Sequence, residues 1–349
     1  MLASFTSTRS LHETNRVTIL KLQNQLVTAQ KEVATGRLAD VGVTLGGRTS
    51  ETVSLRQQFA RYTTLMTTNS FVTTRLDITQ TTLESFSAAA AAYGSTLIAS
   101  RDTDLGPTVA QGEAKANFIS LLDGLNSTLG GEYLFGGINT TQQPITNYYD
   151  TPTPANRQAV IDAFTTAFGV PPGDPATAGI TATAMQTFLD GPFAALFEEP
   201  AWSANWSSAS DQNQQSRISP TEQMETSTNA NQLAYRKLAK AYVMVADLGV
   251  EALNRGAYAA ISDTAMAISG QTIQDLAKVQ AKLGTAAARV TQADDRMTAQ
   301  QAIMSEQITA LEGVDRFEAA IKVNELVTQL QTAYALTARV QSLTILNYL

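Results

Sequence analysis

Residues 51–100, ETVSLRQQFARYTTLMTTNSFVTTRLDITQTTLESFSAAAAAYGSTLIAS, decide the fold. Leu55, Tyr62, Asn69, Leu76, Leu83, Ala90 and Leu97 recur at every seventh position. Leu65, Val72, Phe86 and Tyr93 each follow one of these by three residues and supply a second line. Alternating steps of 3 and 4 keep one seam of a helix turned toward a partner helix. Roughly 50 helical residues extend about 75 Å, a length that suits a coiled coil and exceeds what one compact core needs. Asn69 is a polar residue in that seam and reads as a register-setting position.

Moving toward the N-terminus, Ser10 with Glu13 three residues later predicts a capping box that opens a first helix. Ile19, Leu22, Leu26, Ala29 and Val33 then follow at steps of 3 and 4, and Gly36 predicts the stop. Gly42, Gly46 and Gly47 mark a joint before the long helix. Beyond it, a third helix is predicted over Thr108–Leu129, ended by Gly130-Gly131, with strand, turn and strand over Glu132–Pro144.

Nine of the ten prolines (Pro144 to Pro220) and both tryptophans, Trp202 and Trp206, fall between two proline-poor, helix-patterned ends. The middle, about 145–215, mixes turn clusters with short amphipathic helices near Ala155–Phe168 and Ala182–Phe197. It predicts a small separate domain of mixed structure. Ser219-Pro220-Thr221-Glu222 fits a helix start, while the Thr-rich run Met224–Thr228 fits a strand, and the pattern leaves both open. From Asn229 the helical pattern resumes through Leu238, Tyr242 and Val245 to Gly249. A helix from about Tyr258 to beyond Ile308 is expected, interrupted at Gly270 and Gly284. The last helix carries Val323, Leu326, Leu330, Ala333, Thr337 and Val340, and the chain ends on apolar Leu343, Ile345, Leu346, Tyr348 and Leu349.

The expected fold is therefore mainly α. Its N- and C-terminal helices form a long antiparallel coiled-coil rod, with a short β-hairpin region and a small mixed central domain. Residues 1–48 with 312–349 make a terminal helical domain, 49–143 with 216–311 the rod, and 144–215 the insert. Apolar content of 44% with only 7% aromatics suits slender helical packing in a chain of 349 residues. Net charge is −7 with no Lys/Arg run, which argues against a nucleic-acid partner. No stretch approaches the ~18 apolar residues of a membrane span, and the first 20 residues lack a signal-peptide core. The absence of cysteine fits either chance or a chain bound for an oxidising space.

Catalytic, cofactor and metal residues are not indicated. His12 lies in the first helix without partners at ligand spacing, and Asp294-Asp295 reads as a solvated helix face. The glycines at 36, 42, 46 and 47 do not form a phosphate-binding loop after a strand.

Leu26-Val-Thr-Ala-Gln-Lys-Glu-Val-Ala-Thr-Gly-Arg37-Leu-Ala-Asp40 resembles the start of the flagellin superfamily, where a heptad helix closes on a Ser/Thr-Gly-Arg/Lys turn. Glu132-Tyr-Leu-Phe-Gly-Gly137 is similar to an element that follows the third N-terminal helix in that family. Ser342-Leu-Thr-Ile-Leu-Asn-Tyr-Leu349 looks like the ending of its hook-associated, hook–filament junction branch. The Leu38-Ala-Asp-Val-Gly42 stretch departs from the family's commoner Asn-Ser-Pro-Ser-Asp-Asp run.

The resemblance implies a structural flagellar subunit that joins hook to filament, with the filament subunit itself as the alternative. It implies paired terminal helices as the inner assembly domain of a hollow tube, the rod outside them and the insert outermost. It also implies type III export, a secreted location and no membrane insertion. The implied partners are further copies of the chain, neighbouring axial proteins (hook-associated protein and flagellin), and an export chaperone over the C-terminal helix. The expected assembly interface is Ile19, Leu22, Leu26, Val33, Val323, Leu326, Leu330, Val340, Leu343, Leu346, Tyr348 and Leu349.

Overall fold

The structure is a computed structural model that describes residues 8–346, with side chains described for Ser10 and for residues 12–339. The chain runs through α1 (Thr8–Thr35), α2 (Val41–Leu45), α3 (Thr49–Ser100) and α4 (Gly106–Leu125) into a hairpin of β1 (Thr128–Leu129) and β2 (Glu132–Tyr133). Then come α5 (Ala155–Phe168), α6 (Ala182–Asp190), α7 (Pro192–Ala195) and α8 (Ala201–Asn205), and a second antiparallel hairpin of β3 (Gln215–Arg217) and β4 (Gln223–Glu225). Three helices follow: α9 (Leu233–Ala246), α10 (Arg255–Glu312) and α11 (Arg316–Leu346). The architecture is mainly α, as the patterning predicts, with two small hairpins where one hairpin region is expected. Two compact units are present, Met1–Thr64 with Arg296–Leu349, and Leu65–Asp295.

In the second unit the seam of α3 is buried through Asn69, Val72, Leu76, Thr79, Leu83, Phe86, Ala90, Tyr93 and Leu97, again in steps of 3 and 4. On α10 the matching buried line is Ser262, Ala265, Ser269, Thr272, Leu276, Leu283, Ala286, Val290 and Ala293. Small residues dominate that line and allow helices to approach closely, while α9 contributes almost a full cylinder of buried residues from Ala234 to Ala246. Residues 145–215 join the same core through aromatic contacts. Phe118 of α4 meets Tyr148 at 5.1 Å and Trp206 at 6.3 Å, and Trp206 stacks on Trp202 at 5.5 Å. Rings this size each bury about 150–250 Å², and Val160, Phe164, Met185, Leu189 and Phe193 of the same stretch are buried in the same cluster.

Asn69 sits in the seam as expected, and its Nδ2 donates to the Ile218 carbonyl at 2.9 Å and to Asp294 Oδ1 at 2.6 Å. Asp294 is therefore not a solvated face: burial, the larger influence, raises its carboxyl pKa, and the Asn69 hydrogen bond opposes it.

Several local expectations are corrected. Helix α1 begins at Thr8, so Ser10 lies inside it, and Glu13 pairs with Arg16 at 2.8 Å instead of closing a capping box. Helix α4 stops at Leu125, where the Asn126 side chain turns to Ile145: its Nδ2 donates to the Ile145 carbonyl and its Oδ1 accepts from the Ile145 N–H, both at 2.9 Å. Gly130 and Gly131, at φ 61° and 87°, then form the turn of the first hairpin, and only Glu132–Tyr133 of the predicted strand region is strand. The predicted helix over Ala182–Phe197 breaks at Gly191-Pro192. Residues 218–222 form the turn of the second hairpin, which settles the two readings left open there in favour of strand. Helix α10 runs unbroken through Gly270 and Gly284; buried Ser269, Thr272, Leu283 and Ala286 beside them outweigh a glycine cost of about 1 kcal/mol each.

Leu134-Phe135-Gly136-Gly137 ties the two halves of the sequence together. Phe135 is buried against Tyr235 at 5.7 Å, and its carbonyl accepts from Ala230 N at 2.8 Å. Gly137 has φ 63°, and a Cβ there would lie 2.5 Å from the Ser210 carbonyl oxygen. Gly137→Ala is expected to destabilise this unit by at least about 1–2 kcal/mol from the left-handed backbone alone. A thermal melt followed by Trp202 and Trp206 fluorescence checks it, and an unchanged midpoint would refute this role for the glycine.

Candidate assembly surface

The first unit is built on the pairing of α1 with α11. Their antiparallel arrangement follows from two contacts: Arg37 bridges Gly313 where α1 has ended and α11 begins, and Gln23 Nε2 donates to the Tyr334 hydroxyl at 2.8 Å. Steps of 3 and 4 on α1 place Ile19, Leu22, Leu26 and Val33 half-buried along one face, with Ala29 fully buried among them. On α11, Leu326 is 6% exposed and Ala319 is buried, while Val323 and Leu330 are half-buried. Val340, Leu343 and Leu346 lie on α11 beyond the described side chains, and Tyr348 and Leu349 lie outside the described residues.

The joint beside this pair is closely specified. Gly36 leaves α1 at φ 68°, and the Arg316 guanidinium occupies the space a Cβ would need, 2.8 Å from that position. Val314 N donates to the Gly36 carbonyl at 3.1 Å, and Leu38 N to the Glu312 carbonyl at 2.8 Å. Asp40 caps α2 by accepting from Val43 N at 2.9 Å. The Glu312 side chain is only 1% exposed, and Arg56 Nε donates to its Oε1 at 2.9 Å while Arg56 Nη2 reaches Oε2. The Arg56 hydrogen bond, the Thr52 hydroxyl and the nearby Arg37 charge hold the Glu312 carboxyl below the usual range against the opposing effect of burial.

Sequence patterning misses the outward face of the same pair. Val17, Leu20 and Val27 on α1, and Phe317, Ile321, Tyr334 and Leu336 on α11, are exposed. Ten of the seventeen large apolar side chains exposed among the described residues belong to this unit, about a third of the chain. Such concentration marks an interaction surface. A signal was available: Val17, Leu20 and Val27 repeat at helical spacing one face away from the seam.

The predicted seam thus holds α1 to α11 within one chain, and the apolar faces beside it are exposed. Leu326→Asp is expected to open the α1–α11 pair, because an unpaired carboxylate cannot stay in an apolar seam. Far-UV circular dichroism should lose helix while Trp202 and Trp206 fluorescence, which reports only the other unit, keeps its melting point. A parallel loss in both signals would mean that the seam is ordinary core.

Among the described residues no helix is long and apolar enough to cross a membrane, and no three His, Asp or Glu side chains converge as a metal site.

Comparison with known proteins agrees with this layout. The pattern of the bacterial flagellin N-terminal helical region matches residues 6–140, and that of the C-terminal helical region matches residues 266–349. No curated protein sequence matches the chain. A solved structure assigned as a flagellar hook-associated protein from Vibrio parahaemolyticus superposes with a TM-score of 0.52 at 9% identity, over 76% of this chain and 97% of that one. At that identity the likeness shows a shared fold.

Proposed function

Because the chain belongs to the bacterial flagellin family, which makes it a structural, non-enzymatic component of the flagellum, we propose that it is the hook-associated subunit of the FlgL type that joins hook to filament. The observation that carries the reading is the ending Ser342–Leu349, whose Asn347-Tyr348-Leu349 resembles that branch. The fold likeness to a hook-associated protein supports it. In this reading residues 1–48 and 312–349 face the tube's interior, 49–143 and 216–311 form the surrounding rod, and 144–215 lie outermost.

Assembly then proceeds through the terminal pair. Before assembly Ile19, Leu22, Leu26, Val33, Val323 and Leu330 are only half-buried beside the buried Leu326, so the α1–α11 pair is incompletely covered. Docking of neighbours completes their burial, and Val340, Leu343, Leu346, Tyr348 and Leu349 belong to the proposed interface on their sequence alone. A loosely paired terminal unit suits export through the flagellar type III channel, with a chaperone over α11 until then. The neighbours are further copies in one layer, a hook-associated protein on one side and flagellin on the other.

Immunogold labelling of isolated flagella tests the assignment. Label confined to one band at the hook–filament boundary is expected. Label along the whole filament would make the chain the filament subunit, and absence from flagella would sink the reading.

A further inference from the structure

In the terminal unit, the end of α10, the start of α3 and Arg37, two residues past α1, border an open cavity of about 240 Å³ lined by Arg37, Arg56, Phe59, Ser305 and Ile308. Its floor is apolar, with Ile308 buried and Phe59 half-buried. Its rim is basic: Arg56 is neutralised by the buried Glu312, and the exposed Arg37 leaves one positive charge in excess. Nothing else among the described residues fills it.

The same unit carries an anchor that fits. Phe317 is 84% exposed, the most exposed large apolar side chain among the described residues. Its backbone is fixed at the start of α11, where Asp315 Oδ1 caps the helix by accepting from Phe317 N at 2.8 Å. Asp315 and Glu318 flank it as exposed acids, and Arg316 lies over Gly36, so the anchor region carries one negative charge in excess. A protruding aromatic with an acidic border thus matches an apolar hollow with a basic border, the combination found at the centre of interfaces.

We propose that Phe317 of one subunit seats in the Arg37–Arg56 cavity of a second copy of this chain. The inference rests on the assembly reading above and adds its contact. Anchor and cavity are different patches of one molecule, so the interface is heterologous and repeats from copy to copy, closing into a ring or continuing as a helix. An exposed Phe has no role in the monomer's own packing, and the contact therefore predicts an assembly defect without a folding defect.

The absence of cysteine from the chain gives a clean test. Cells making a Ser305→Cys, Glu318→Cys double variant, with Phe317 intact, supply flagella and free monomer for treatment with a short thiol-to-thiol cross-linker. A ladder of linked copies from flagella but not from monomer is expected. Absence of a ladder while the variant incorporates, or a link within one chain or to a different protein, would overturn the contact. Phe317→Ala should enter flagella at least tenfold less than the parent chain while its helix content is unchanged; incorporation at the parent level would also overturn it. Arg37→Glu and Glu318→Arg should each reduce incorporation, and combining them should restore it. Failure of the unsubstituted chain to appear in flagella at all would instead reject the assembly reading, and this contact with it.

Discussion

Deleting Leu330–Leu349 will abolish entry of the chain into flagella and leave the Leu65–Asp295 unit folded. The deletion removes more than half of α11 but no residue of that second unit. Its buried cluster, drawn from α3, α4, α9, α10 and the aromatic contacts around Trp206, runs from Val72 to Ala293 and includes no residue beyond Asp295. Trp202 and Trp206 fluorescence should therefore melt at the parent temperature, while incorporation into flagella falls to background.

Helix loss should also exceed the deleted residues. In the antiparallel pair the Gln23–Tyr334 hydrogen bond sets Tyr334 against the middle of α1, so the backbone of α11 beyond it runs toward the start of α1. Without that cover, the first half of α1 is a short amphipathic helix in water, where nucleation is costly and isolated helices under ~12–15 residues are marginal. Circular dichroism should register this additional loss. A truncated chain that still enters flagella would remove α11 from the assembly mechanism, and one whose tryptophan melt also collapses would show that the terminal helices are part of the second unit's core.

How much of this was visible in the sequence depends on the range of the interaction involved. The seam of α3 could be read because its burial repeats locally: the heptad line through Asn69, Leu76, Leu83, Ala90 and Leu97 is the buried line. Helix α5 was likewise placed at Ala155–Phe168 from its amphipathic spacing. What failed had a non-local cause. The end of α4 is set by Asn126 meeting Ile145, and nothing within the helix announces it. Asp294 looked solvated because its partner Asn69 is far away in the sequence. The α1–α11 pair followed the same rule: the buried or half-buried seam positions Leu22 and Leu326 were legible by period, whereas the exposed Phe317 and Ile321 had no place in a one-seam reading. The importance of Glu312 was also hidden, since its partner Arg56 is 256 positions earlier.

That pair gives the sharpest stability prediction, because its two ends are unequally buried. Glu312 is 1% exposed and Arg56 is 48% exposed. Removing the arginine strands a carboxylate that cannot reach water, whereas removing the charge on Glu312 leaves a guanidinium free to turn outward. Breaking a fully buried pair costs about 3–5 kcal/mol, and partial screening at the exposed Arg56 reduces this to about 2–3 kcal/mol. Arg56→Met should therefore destabilise the terminal unit by about that amount, and Glu312→Gln by clearly less. The pH dependence has a definite sign. The folded Glu312 carboxyl titrates below its ordinary value of 4.5 because Arg56 and Thr52 hold the charged form. Its contribution is thus complete above about pH 4.5 and disappears as pH falls through the lower folded value. Denaturant unfolding followed by circular dichroism between pH 7 and 3 measures it. Glu312→Gln should flatten the acid slope of the terminal unit and leave the tryptophan-reported unit's slope intact. Equal losses from Arg56→Met and Glu312→Gln, or an acid slope that survives Glu312→Gln, would mean that the joint is held by the Gly36, Leu38 and Val314 backbone bonds and not by this ion pair.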